Sequence, residues 1–231
     1  MIDLSADLGE GSPGEAEIWP LITSANVACG GHIGDEDSMR EAARLAQQHG
    51  VRFGAHPSYP DRQHFGRKSL VMTPDALRDS LIAQLSTLNA IAPIEHVKPH
   101  GALYNDAHRN RDLARIIVEA MQHIAPGLAM VAPDDSQMAT AARAAGIKVI
   151  REAFADRRYE SDGSLTPRSI AGSTLTVEEA VAQASLLATQ SAVIARDGTR
   201  IGIRFDTLCI HADMENAVAR LRAIRSKLAV V

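Results

Sequence analysis

His96-Val97-Lys98-Pro99-His100-Gly101-Ala102-Leu103-Tyr104-Asn105 begins as a short apolar run, passes through a Pro/Gly turn and continues into a helix-like pattern. The turn carries Lys98 and His100. A cation and an imidazole are poor core residues, yet they stand where a buried strand ends. α/β folds gather their chemistry at the carboxyl ends of strands. The layout repeats in both directions. Asp7 and Glu10 close the first strand-like run, His32 the second, His56 the third, Glu152 and Asp156 the sixth, and His211 and Asp213 the last.

Strand patterns are read at 2–8, 24–29, 52–55, 96–98, 129–132, 148–153 and 208–211. Most are apolar without polar alternation, as for parallel strands covered on both faces. Helical patterns stand between them. Thr73-Pro74-Asp75 sets a cap, a proline and an acid ahead of Leu77, Leu81, Leu85 and Leu88. Thr176-Val177-Glu178-Glu179 is a capping box. Asp35 opens a helix that stops at Gly50, and Val218, Leu221, Ile224 and Leu228 form the last stripe. Such βα units over residues 1–231 imply one α/β domain, either a closed barrel or an open doubly wound sheet. The barrel is preferred, because an open sheet concentrates its site at one crevice, whereas here nearly every strand ends in polar residues.

Of the 231 residues, 45% are hydrophobic but only 3% aromatic, so the core must be built from Ala, Leu, Ile and Val. The net charge of −4 comes without a basic block, which argues against a nucleic-acid partner. No apolar run is long enough to span a bilayer, so no membrane association is expected. The chain opens directly on a strand pattern without a secretory leader, which points to the cytoplasm. Cys29 and Cys209 read as buried free thiols, and no Cys/His spacing supports a structural zinc.

Two long polar loops, 57–69 and 156–173, carry Arg62, Arg67, Arg157 and Arg168, which suit an anionic substrate; Arg158 reads rather as surface charge. Asp7 and Glu10 are close enough in sequence to split their pKa values and share acid and base roles. Asn26 is either a strand-end amide that orients a substrate or a turn former. Asp7, His32 and His56 together offer a divalent metal site, although no tight ligand spacing fixes it. Lys98 stabilises an oxyanion or a carboxylate, or else forms a structural ion pair with Asp7 or Glu152. His49, His64, His108 and His123 fall in helix or loop contexts and are read as surface or structural. There is no phosphate loop, no nucleophile elbow and no dinucleotide fingerprint.

Taken in order, several runs resemble the LamB/YcsF family. They are Ala6-Asp7-Leu8-Gly9-Glu10-Gly11, Ser24-Ala25-Asn26-Val27-Ala28-Cys29-Gly30, Gly54-Ala55-His56-Pro57-Ser58-Tyr59-Pro60-Asp61-Arg62, Phe65-Gly66-Arg67, Val97 to Asn105, Phe154-Ala155-Asp156-Arg157, Asp162-Gly163-Ser164-Leu165, Pro167-Arg168 and Cys209-Ile210-His211. The chain departs from the family pattern at Gly31, where an aromatic is usual, and at Ala212, where glycine is usual. The resemblance implies a distorted, TIM-like seven-stranded β/α barrel of the glycoside hydrolase/deacetylase type. It also implies ATP-dependent opening of 5-oxoproline to glutamate, together with two partner subunits, B and C.

On that reading the partner subunits supply the ATP-binding step, and this chain opens the activated lactam. Asp7, Glu10, His56, Lys98 and His100 form the catalytic set, while Asn26, His32, Arg62, Arg67, Arg157, Arg168 and His211 bind substrate. Two rival readings remain. One is a stand-alone metal-dependent deacetylase or amidohydrolase acting on a small amide or N-acyl sugar. The other is a non-catalytic carrier subunit.

Overall fold

Parallel pairing closes the strands of this chain into a ring. The computed structural model describes residues 2–228. In chain order the strands are β1 (Asp3–Leu8), β2 (Ser24–Ala28), β3 (Arg52–His56), β4 (His96–Val97), β5 (Ala129–Ala132), β6 (Val149–Phe154), β7 (Ala192–Ile194), β8 (Arg200–Gly202) and β9 (Thr207–Cys209). The barrel order is β1-β2-β3-β4-β5-β6-β9, with β9 returning to β1, and every neighbour is parallel. The expected seven-stranded β/α barrel is therefore the fold. Strand ends differ from the sequence reading by one or two residues, the usual fraying of such limits.

The helices are α1 (Glu15–Ile18), α2 (Glu36–His49), α3 (Pro74–Ile91), α4 (Gly101–Arg109), α5 (Arg111–Ile124), α6 (Gln137–Ala144), α7 (Val177–Gln190) and α8 (Ala217–Leu228). Local chemistry starts and stops them as expected. Asp35 and Ser38 form a reciprocal cap on α2, which ends at Gly50 in the left-handed region. Thr73 caps α3 ahead of Pro74, and Thr176 and Glu179 complete the capping box of α7. No helix among the described residues is long and apolar enough to cross a membrane.

Register places the site. Asp7 pairs with Asn26, Asn26 with Gly54, and Gly54 with His96, so these four residues share one level of the barrel. Inside it the His96 ring meets Oδ1 of Asn26 at 3.0 Å, and Nδ2 of Asn26 donates to Oδ1 of Asp7 at 2.9 Å. This polar layer lies beneath the carboxyl ends of the strands. Apolar residues such as Leu8, Leu81, Leu85 and Met130 make the surrounding core.

After α7 the chain forms the separate antiparallel hairpin β7–β8, which the sequence reading passed over. Its signal was present: Asp197-Gly198 between two apolar runs is a strong hairpin turn, with Gly198 at φ 88°.

Candidate active site

A cavity of about 870 Å³ opens at the carboxyl end of the barrel. Asp7, Glu10, His56, Lys98, His100, Arg67, Arg157, Arg168 and His211 all line it, together with Tyr104, Glu152, Phe154 and Asp213. A second, more open recess holds Arg143, Arg151 and Arg204, but Asp134 and Asp206 already pair these cations.

Lys98 forms the floor of the cavity. Its Nζ lies 2.9 Å from Oδ1 of Asp7, 2.8 Å from Oε1 of Glu152 and 3.1 Å from Sγ of Cys209. The two ion pairs weighed as alternatives thus exist together. Burial opposes the Lys98 charge, but Asp7, Cys209 and Glu152 hold its pKa well above the usual lysine value. Burial likewise opposes ionisation of Asp7, yet His56 and Lys98 hold that carboxyl well below its usual range. Tyr104 donates to Oε2 of Glu152 at 2.8 Å. The floor is therefore a fixed cation whose carboxylate partners are themselves held.

Beside it stand three histidines and Glu10. Nδ1 of His56 lies 2.7 Å from the Lys98 carbonyl, and Nε2 of His100 lies 2.9 Å from the Phe65 carbonyl. A carbonyl only accepts, so both ring nitrogens must be N–H donors. The remaining atoms, Nε2 of His56 and Nδ1 of His100, face each other at 2.9 Å. In neutral rings both would present lone pairs. The gap between them is a place for one proton or one cation, and Oδ2 of Asp7 lies 3.4 Å from Nε2 of His56.

His32 stacks on His100 with ring centroids 3.7 Å apart, and its Nε2 meets Oε1 of Glu10 at 3.1 Å. Burial and the charge of His56 push the His32 pKa down to about 3. Burial pushes Glu10 up to about 7, where a carboxyl can exchange a proton near neutrality. Burial, with His56 and His32 beside it, pushes His100 down as well.

The expected metal set of Asp7, His32 and His56 is not the one brought together. Asp7 is engaged by Lys98 and Asn26, and His32 reaches Glu10 while its Nδ1 has no partner among the described residues. Glu10, His56 and His100 instead offer ligand atoms within 4.8 Å of one another. Their facing lone pairs, with each ring's other nitrogen fixed by a carbonyl, fit a divalent cation. An ion there would polarise an oxygen or activate water.

The arginines separate into different roles. Arg67 and Arg168 come from the two long loops and converge on Asp213, Arg168 at 3.3 Å from its Oδ2. Arg157 uses Nε and Nη2 on the carbonyls of Ser173 and Thr166, so it also staples its own loop. Arg62 does not reach the cavity, because its guanidinium donates to the carbonyls of Gly30 and Gly34. Asn26 and His32 lie behind the cavity wall, where they support Asp7 and Glu10 rather than a substrate. The sequence reading missed Tyr104 and Phe154, which look like ordinary core aromatics. It also read His108 as surface or structural, although that residue lines the cavity.

The LamB/YcsF family model matches residues 2–230. The chain belongs to the LamB/YcsF family. Among LamB/YcsF relatives, the A subunit of 5-oxoprolinase from Methylococcus capsulatus is 46% identical, over 99% of this chain and 92% of that protein. The corresponding 5-oxoprolinase chain of Staphylococcus carnosus is 42% identical, over 98% of this chain and 94% of its own. A crystal structure of a lactam utilization protein from Thermus thermophilus superimposes with a TM-score of 0.92 at 41% identity, covering 99% of this chain and 96% of the other.

Packing accounts for one departure from the LamB/YcsF pattern. A Cβ on Gly31 would fall 2.3 Å from Oε1 of Gln84 and 2.5 Å from Oγ of Ser58. The Gln84 amide fills that space, accepting from the Ser58 N–H at 3.0 Å and donating to the Ser58 carbonyl at 2.9 Å. At the other departure, the Ala212 side chain is buried.

Proposed function

We propose that this chain is the lactam-opening subunit of an ATP-dependent 5-oxoprolinase, converting 5-oxoproline to glutamate in the cytoplasm together with two partner subunits, B and C. The observation that carries the reading is one cavity that combines the Lys98–Asp7–Glu152 floor, the His56–His100 pair and the Arg67–Arg168 rim. The relatives are named as A subunits of 5-oxoprolinase, which supports the substrate and the need for partners.

A five-membered lactam is a stabilised amide and a poor electrophile. Phosphorylation of its carbonyl oxygen makes the carbon attackable. With no phosphate loop in this sequence, ATP is assigned to the partner subunits. The guanidinia of Arg67 and Arg168 take the substrate carboxylate, and Lys98 faces the oxygen that gathers negative charge. Glu10 and the His56–His100 pair accept the proton of the attacking water.

The Glu10, His56 and His100 donors favour one second reading, an amidohydrolase that works with a divalent metal and without ATP. The deciding experiment measures glutamate release from 5-oxoproline by the chain alone and with its partner subunits, each with and without ATP. Release only in the complete mixture with ATP supports the first reading. Release by the chain alone, stopped by a chelator and restored by zinc or manganese, supports the second.

A further inference from the structure

His211 lies apart from the Lys98 floor and is held in a different way. Asp156 is fully buried, and its Oδ1 lies 3.0 Å from Nδ1 of His211 while its Oδ2 accepts the His211 backbone N–H at 2.7 Å. Burial works against the Asp156 charge, but His211 and Arg220 hold this carboxyl below its usual range. An ionised carboxylate accepts only, so Nδ1 carries a proton and the ring orientation is fixed. Nε2 then has no protein partner among the described residues, and the ring lines the cavity. The ring stacks on Phe154 with centroids 5.6 Å apart, and Nζ of Lys98 packs against the same Phe154 ring at 5.4 Å. The cation and this imidazole therefore share one aromatic neighbour. Two residues beyond His211, Asp213 gathers Arg67 and Arg168. His211 thus stands between the floor that faces the carbonyl and the rim that faces the carboxylate.

In 5-oxoproline the ring nitrogen joins the carbonyl carbon to the carbon that bears the carboxylate. We infer that His211 is the general acid that protonates the departing ring nitrogen, with Asp156 as its positioning residue. The inference rests on the lactam-opening reading above. Water oxygen bonds to the activated carbonyl carbon and its proton passes to the Glu10/His56/His100 group. The C–N bond then breaks and its electron pair goes to nitrogen; His211, which has taken a second proton from cavity solvent at Nε2 and is held as an imidazolium by the Asp156 carboxylate, gives that Nε2 proton to make the amine and is left neutral with its Nδ1–H on Asp156. The acyl phosphate that remains is split by a second water into carboxylate and inorganic phosphate. An amine anion is a very poor leaving group, so the step needs such a donor. A positioned acid of this kind contributes about 10²–10⁴-fold in rate.

The test uses the reconstituted complex with its partner subunits, ATP and 5-oxoproline, and measures ATP hydrolysis and glutamate release together. In His211→Gln, glutamate release should fall about 100-fold or more. KM for 5-oxoproline should stay within about threefold, and the ratio of ATP consumed to glutamate released should rise at least about tenfold, because activated lactam forms but reverts without opening. Asp156→Asn should show the same uncoupling with an unchanged thermal midpoint. A rise in KM that accounts for the whole loss would make His211 a binding residue and overturn the inference. So would ATP use and glutamate release falling in step, or His211→Gln remaining active. No glutamate from the wild-type complex is a different result, and it would remove the lactam-opening reading itself.

Discussion

Gly54 and His96 are matched across neighbouring strands: a Cβ on residue 54 would fall 2.2 Å from Nε2 of His96. The missing side chain is what lets the imidazole pass over β3 to Asn26, which in turn holds Asp7. Gly54→Ala should therefore destabilise the protein by about 1–3 kcal/mol, the usual cost of overpacking. It should also lower glutamate release by displacing Asp7. Denaturant unfolding of Gly54→Ala and of Gly54→Ala/His96→Ala checks the origin. The second change should recover most of the lost stability but not the activity, and no recovery would refute steric conflict as the cause.

Lys98 is enclosed by Asp7 and Glu152, so its removal leaves two carboxylates facing each other in the interior. Lys98→Met should cost about 3–5 kcal/mol, the range for breaking a buried pair from one side. It should also abolish turnover in the complete mixture. Stability equal to wild type in urea titrations would mean that the three groups do not share one charge-balanced cluster.

Glu10 should set a pH dependence with two readouts. Its carboxyl titrates near 7 in the folded protein against an ordinary 4.5, so the folded state holds an extra proton between those values. Stability from Glu10 is then largest below the unfolded value and is lost as pH rises toward 7. Glu10→Gln should flatten that slope in protein freed of divalent metal by a chelator. In turnover, the rise in rate through about pH 7 should vanish in the same variant. An unaltered rate profile would reassign the proton transfer to the histidine pair.

Gly31 and Gln84 form a second matched pair. Phenylalanine at position 31 meets the Gln84 amide and the Ser58 hydroxyl. Gly31→Phe alone should lower the thermal midpoint by several degrees, given that about 1 kcal/mol shifts a domain of this size by roughly 2–4 °C. Gly31→Phe/Gln84→Ala should regain part of that loss. A lone Gly31→Phe variant that melts like wild type would show that Gln84 simply moves aside.

The barrel was legible because period, caps and breakers agreed along the chain. Thr73, Thr176 and Asp35 start helices where their spacing placed them, and apolar runs without alternation paired in parallel as buried strands do. The cavity-lining set was legible for the same reason: Asp7, His56, Lys98, His100 and His211 follow strand ends. Side-chain direction was not. Arg62 belongs to the same polar loop as Arg67, yet it turns to the carbonyls of Gly30 and Gly34. Likewise His32 and Glu10 meet only through the folded positions of two loops, so the ligand-like grouping of Glu10 with His56 and His100 was hidden from spacing. The β7–β8 hairpin was readable from Asp197-Gly198, but the alternation of strand and helix drew attention past it.

Arg67 and Arg168 are not bare charges waiting for an anion. Asp213 already bridges them, although its Oδ1 has no partner of its own among the described residues. An arriving carboxylate must displace this internal counter-anion, so recognition at the rim is an ion exchange rather than a capture from bulk water. Each guanidinium trades one carboxylate for another, so the net gain in attraction is small. Added salt should therefore weaken substrate association less than it would for two unpaired arginines. Between turnovers Asp213 offsets one of the two guanidinium charges, which lowers the rim's pull on stray anions.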